Sequence, residues 1–266
     1  MKHTNTIGYY AAVTLWYLGY PDQALQRSHE ALTLAQELAH PFNLVGALFF
    51  AAWLHQLRRE WPLTHERAEA ARALSAEQGF AQFVAGGTIF RGCALAERDP
   101  APGAGQGQVE AGMAQMQQGL AAWRATGAEV LRPYGLALLA KASAQVGQHE
   151  AGLALLAEAL AVLNDTGERR WEAEVYRLKG EVLLARSVEH DAEAETCFRQ
   201  ALDIARQQQA KSWELRAAMS LSRLWQRQGK RDAARQLLAN VYGWFTEGFE
   251  TADLWEAKAL LEELGR

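Results

Sequence analysis

The chain has 266 residues, 49% of them hydrophobic and 22% charged, which is the balance of a folded domain and excludes a disordered or fibrous one. Its 27 Lys and Arg against 31 Asp and Glu give a net charge of −4, which removes the electrostatic basis for nucleic-acid binding. Cys93 and Cys197 lie far apart and match no metal spacing, so the simplest setting is a reducing cytoplasm.

The first predicted element is an apolar helix within residues 7–20. A second apolar run covers 44–57, and both fall short of the roughly 18 to 20 residues that span a bilayer. Both are read as core helices, not as a signal peptide or an anchor. Heavy use of alanine and the six prolines favour helix throughout. Pro21, Pro41, Pro62, Pro100, Pro102 and Pro133 all fall in predicted turns or first helical turns, where proline is tolerated. No strand-like alternation bounded by turn signals occurs.

A repeat is visible in mid-chain. Residues 110–127 read EAGMAQMQQGLAAWRATG and residues 150–167 read EAGLALLAEALAVLNDTG, identical at eight of eighteen positions with an offset of 40. The unit extends in both directions as two helices joined by a short turn. On one face of the second helix, a small position reads Ala24, Thr64, Gly112, Gly152, Ala194 and Ala234. Seven residues later it reads Ala31, Ala71, Gly119, Ala159, Ala201 and Val241. Helices that cross closely need small residues at the crossing, and a larger side chain there costs about 1 to 3 kcal/mol. Gly19, Gly147 and Gly229 each stand five residues before the small position, where a left-handed helix end is expected. The one long spacing is explained by a Pro/Gly segment at 99–108, DPAPGAGQGQ, which is expected to be a flexible loop.

The last element differs. Residues 251–264 predict a single amphipathic helix, with Thr251 as N-cap, Asp253 in the first turn, and Leu254, Ala257, Leu261 and Leu264 on one face. Such a helix covers the final repeat of a stack. No matching polar cap begins the chain, so the apolar start predicts that a further domain or a partner lies against it.

These residues carry a family resemblance. Residues 18–38, 167–185 and 210–254 resemble the C-terminal tetratricopeptide region of bacterial signalling proteins. Those proteins place a class III adenylate or guanylate cyclase, or another signalling domain, ahead of a STAND-type P-loop ATPase. The resemblance implies an all-α, right-handed superhelical solenoid of about six tetratricopeptide-like repeats. They are placed at about 6–40, 41–80, 81–128, 129–168, 169–210 and 211–248, with a capping helix at 251–264. It implies a non-catalytic interaction and regulatory module of an ATPase or cyclase system. The partner is then a protein or peptide segment, an upstream ATPase or cyclase domain included, with neither nucleic acid nor membrane. A small-molecule effector sensor is the alternative. The GxxxxGK[ST] loop is absent, since the Gly-rich stretch 103–107 is followed by no lysine.

A solenoid of this kind exposes a groove lined by the first helix of each unit. In the N-terminal half the register offers Tyr9, Val13, Trp16, Phe49 and Trp53. In the C-terminal half it offers Tyr134, Lys141, Glu174, Arg177, Glu181, Arg216 and Arg223. One reading has the first set burying an apolar segment and the second gripping an acidic or polar one, with Arg177 and Arg223 as the anchors to substitute. The other has the rings as inter-repeat core and the charges as a solvated face. Trp123, Trp171, Trp213, Trp225 and Trp244 are read as packing residues. Cys93 and Cys197 are read likewise, with a groove-facing Cys93 left open. His55 and His65 lack a third ligand, and Glu172 and Glu174 point to different helix faces. No catalytic, cofactor or metal site is expected.

Overall fold

The computed structural model describes residues 4–98 and 105–266. Its helices, in chain order, form six successive pairs and a final single helix. The pairs are α1 (Thr4–Tyr17) with α2 (Pro21–Leu38), α3 (Pro41–Leu57) with α4 (Trp61–Gln78), and α5 (Ala81–Glu97) with α6 (Gly105–Ala125). They continue as α7 (Arg132–Gln145) with α8 (His149–Thr166), α9 (Glu172–Arg186) with α10 (Asp191–Gln207), and α11 (Lys211–Arg227) with α12 (Arg231–Tyr242). A 3₁₀ turn at Val188–His190 joins α9 to α10, and α13 (Ala252–Leu264) closes the chain. No strand occurs among the described residues, so the fold is an all-α solenoid. No helix among them is long and apolar enough to cross a membrane.

Local chemistry sets the helix ends. Pro21, Pro41, Pro62 and Pro133 occupy first turns, where no backbone N–H is needed. Pro100 and Pro102 lie outside the described residues. Gly19, Gly147 and Gly229 take positive φ of 90°, 78° and 77° at the turns between paired helices. Of the segment expected as a loop at 99–108, residues 99–104 lie outside the described residues and 105–108 begin α6, where Gln108 Nε2 donates to the carbonyls of Leu95 and Arg98.

The small positions lie where the paired helices cross, and all twelve are buried. The approach is closest between α5 and α6. A Cβ on Gly112 would stand 2.6 Å from the Gly92 carbonyl oxygen, and one on Gly119 would stand 2.9 Å from that of Ala85. At α13, Leu254, Ala257, Leu260 and Leu264 are buried, while Leu261 is partly exposed. The buried stripe thus runs through Leu260, where Leu261 was expected, because α13 packs on both α11 and α12. The Thr251 hydroxyl donates to the Gly248 carbonyl instead of capping α13.

The inner helices α1, α3, α5, α7, α9 and α11 follow one another in contact, and α1 then meets α11. The inner layer therefore comes full circle. The Ser212 hydroxyl donates to the Trp16 carbonyl, and the Trp16 and Trp213 rings lie 4.8 Å apart. Outside this seam, the Glu247 carboxylate accepts from the backbone N–H groups of Asp22 and Gln23 at the start of α2, and from the Gln23 side chain. Gly248 lies against the Pro21 ring and donates its N–H to Asp22 Oδ2. The apolar character of α1 is answered here: Tyr9, Ala12, Val13 and Trp16 are buried within the chain itself.

Candidate functional site

The circle of inner helices encloses two chemically different regions. One is aromatic. Trp171, at the N-cap of α9, is fully buried, stacked 4.2 Å from Tyr134 and 5.0 Å from Trp53, and its Nε1 donates to the Val130 carbonyl. Phe49 packs beside Phe90 at 5.4 Å, and Tyr9 stacks on Phe50 at 4.6 Å. These rings fill the interior with the chain's own side chains. Tyr9, Val13, Trp16, Phe49 and Trp53, expected along the groove, are all in this packed core.

The other region is a half-open cavity of about 170 Å³, smaller than the ~300 to 1,000 Å³ of a pocket for a drug-sized ligand. Of the residues expected at the groove, Tyr134, Lys141, Glu174, Arg177, Glu181, Arg216 and Arg223 come together around it. Arg59, Asp253 and Glu256 also line it and were missed by the register. Asp253 and Glu256 belong to the capping helix, some two hundred residues from Arg59, and reach the cavity because the circle closes.

The floor is a lattice of buried ions. Arg177 makes paired hydrogen bonds to the Glu174 carboxylate at 2.7 Å each and also donates to Glu181. Burial opposes the Arg177 charge, but Glu174 and Glu181 override it and hold its pKa above the usual value. Arg216 donates to Asp253 Oδ2 at 2.7 Å and to the Leu57 carbonyl at the end of α3. Its guanidinium also lies 5.0 Å from the Trp16 ring and 5.1 Å from the Trp213 ring. One side chain thus ties α1, α3, α11 and α13 together. Burial pushes the Asp253 carboxyl up, yet Arg216 and Arg59 hold it below its usual value. The Glu181 carboxyl is likewise held low against burial, by Arg177, Lys141 and a hydrogen bond from Ser220.

The rim is accessible. Arg223, 47% exposed, meets Glu256 at 3.2 Å, and Arg59 meets the same carboxylate from the other side at 2.7 Å. Lys141 pairs with Glu97 at 2.7 Å. Arg59 is conformationally unusual. Its N–H donates to Gln56 O while the next N–H donates to His55 O, and the same pattern recurs at Gly19, Gly147 and Gly229. Three of these four turns within helix pairs use glycine, while Arg59 holds φ +63°, as Gln209 holds φ +56° in the same hydrogen-bond pattern between α10 and α11, each at a cost of about 1 kcal/mol for a residue with a Cβ.

The remaining candidates are structural. Cys93 is buried beside Gln56, and burial first and Glu97 second push its thiol up to about 12, so it is no nucleophile near neutral pH. His55 pairs with Glu60 at 2.5 Å. Among the described residues no group of three His, Cys, Asp or Glu stands close enough to hold a metal.

No family model and no curated protein matches the chain. Solved structures do resemble it. A Rap protein complexed with competence and sporulation factor has a TM-score of 0.68 at 17% identity, over 98% of this chain and 67% of that one. The apo form of RapI has a TM-score of 0.62 at 11% identity, over 99% and 86%. A putative kinesin light chain of Podosopora anserina with nearly identical TPR-like repeats has a TM-score of 0.50 at 20% identity, over 77% and 95%. At these identities the likeness shows the fold: a tetratricopeptide-like helical repeat architecture. The ATPase or cyclase connection rests on the sequence stretches alone.

Proposed function

We propose that the chain is a non-catalytic protein-interaction and regulatory module that receives a peptide or protein segment at the charged cavity. The observation that carries this reading is the convergence of ionisable side chains from α7, α9, α11 and α13 on one half-open cavity, while the rest of the interior is filled with rings. A Rap protein of the same fold is complexed with competence and sporulation factor, which supports binding of a partner by such an architecture. The stretches at 18–38, 167–185 and 210–254 favour a signalling ATPase or nucleotide cyclase as the system this module serves, and the two free buried thiols fit a cytoplasmic setting.

The anchors to test are Lys141 and Arg223. Arg177 is so enclosed that its loss would strand the buried Glu174, so it reports on folding more than on binding. The double variant Lys141→Ala/Arg223→Ala should keep its melting temperature and lose at least tenfold in affinity for a segment isolated on the wild-type chain. Calorimetric titration measures this, and equal affinity for both proteins rejects the site. The modest volume of the cavity favours a small polar effector as the second reading. A thermal-shift screen of metabolites separates the two, since a ligand at a hundred times its Kd stabilises by about 2.7 kcal/mol.

A further inference from the structure

The charges of the cavity are already balanced. Its two enclosed cations, the buried Arg177 and the mostly buried Arg216, face two carboxylates, the buried Glu174 and the mostly buried Asp253. At the rim, Glu256 sits between Arg59 and Arg223, and Glu181 accepts from Arg177 and Ser220. A purely anionic ligand that captured Arg59 or Arg223 would displace Glu256 and leave that carboxylate without its counter-charge. A purely cationic ligand that captured Glu256 would leave Arg223 without its carboxylate in the same way, while Arg59 kept only its 3.4 Å contact with Asp253. Either exchange opens a pair and returns nothing for it; with these groups 29 to 47% exposed the loss is modest, but it works against binding each time. A ligand carrying both signs close together replaces each broken contact with an equivalent one.

Resting on the segment-binding reading above, we infer that the cavity recognises a dipolar group. This is a basic and an acidic moiety borne side by side, the acid taken by Arg59 and Arg223 and the base by Glu181 and Glu256. Arg59 reaches the rim from the turn between α3 and α4. The volume admits one or two side chains, not a folded element. The same chemistry is offered by adjacent Lys/Arg and Asp/Glu residues of an extended peptide, or by a free amino acid.

The experiment is a selection from a displayed, randomised heptapeptide library on the full chain, followed by calorimetric titration of the enriched peptides. Arg59→Gly removes the rim charge and the backbone strain together while taking a cation from Asp253 and Glu256, and it should melt close to the wild type. Should it not, Arg223→Gln is the second variant. The expected result is enrichment of neighbouring basic and acidic residues. Affinity should then fall at least tenfold when either is replaced by Gln in the peptide, and at least tenfold in the variant. Enrichment of uniformly acidic or uniformly basic peptides that still lose affinity in the variant overturns the dipolar inference and leaves the segment-binding reading standing. No enrichment, or enriched peptides indifferent to Arg59→Gly, Arg223→Gln and Lys141→Ala, overturns both. In a parallel thermal-shift arm, stabilisation by free lysine, arginine or glutamate that vanishes in the variant supports the dipolar chemistry and assigns it to a free amino acid.

Discussion

Through the N-terminal half, and across to the start of α9, the inner helices meet through rings: Tyr9 on Phe50, Phe49 on Phe90, Trp53 on Trp171. Between α9, α11 and α13 they meet through ions: Arg177 on Glu174, Arg216 on Asp253. The two kinds of contact differ in what they tolerate. Ring packing is insensitive to pH and salt and leaves no room. Ion packing leaves polar surface that a partner can exchange with, and it depends on the protonation of every member.

The largest test of that contrast is Trp171→Ala, which empties the point where the Tyr134 and Trp53 rings stack. It should cost about 3 to 5 kcal/mol, read by urea unfolding, with no pH dependence of the loss. Arg216→Met comes next. It keeps much of the packing volume but strips Asp253 of its nearest cation and frees the Leu57 carbonyl, for a loss of about 3 kcal/mol. A loss as large in Arg216→Lys would show that geometry, not charge, carries the contact.

Acid should separate the two regions in the wild type. The Glu181 and Asp253 carboxyls have folded pKa values below their ordinary ones. Their stabilisation is therefore complete above the ordinary carboxylate values of about 4 and is lost as pH falls through the lowered ones. Near-ultraviolet circular dichroism and melting curves from pH 7 to 3 should stay flat to about pH 5 and then fall, and less steeply in Arg216→Met. Smallest of all is Arg223→Ala, whose exposed pair with Glu256 contributes at most about 0.5 kcal/mol. Its signature is lost binding at unchanged stability, and a large stability loss would break the distinction between rim and floor.

How much of this was legible in the sequence follows from the range of each interaction. The crossing of paired helices is local, so Gly112, Gly152, Ala194 and Ala234 announced it at a regular period. The inner face is also local, which is why Lys141, Glu174, Arg177, Glu181, Arg216 and Arg223 could be placed together. Closure is not local. No period states how many pairs complete a turn, so an inward ring such as Trp53 reads the same whether it lines an open groove or fills a closed one. Asp253 and Glu256 were hidden for the same reason. Arg59 did leave a mark: it stands five residues before Thr64, in the register where Gly19, Gly147 and Gly229 precede their small positions.

The contact of α1 with α11, secured by Glu247 on the first turn of α2, fixes an integer. An open array can gain or shed a unit at little penalty to its neighbours, because each unit answers only to the next. Here a duplicated or deleted pair would carry the two ends past each other or leave them apart, undoing a junction far from the edit.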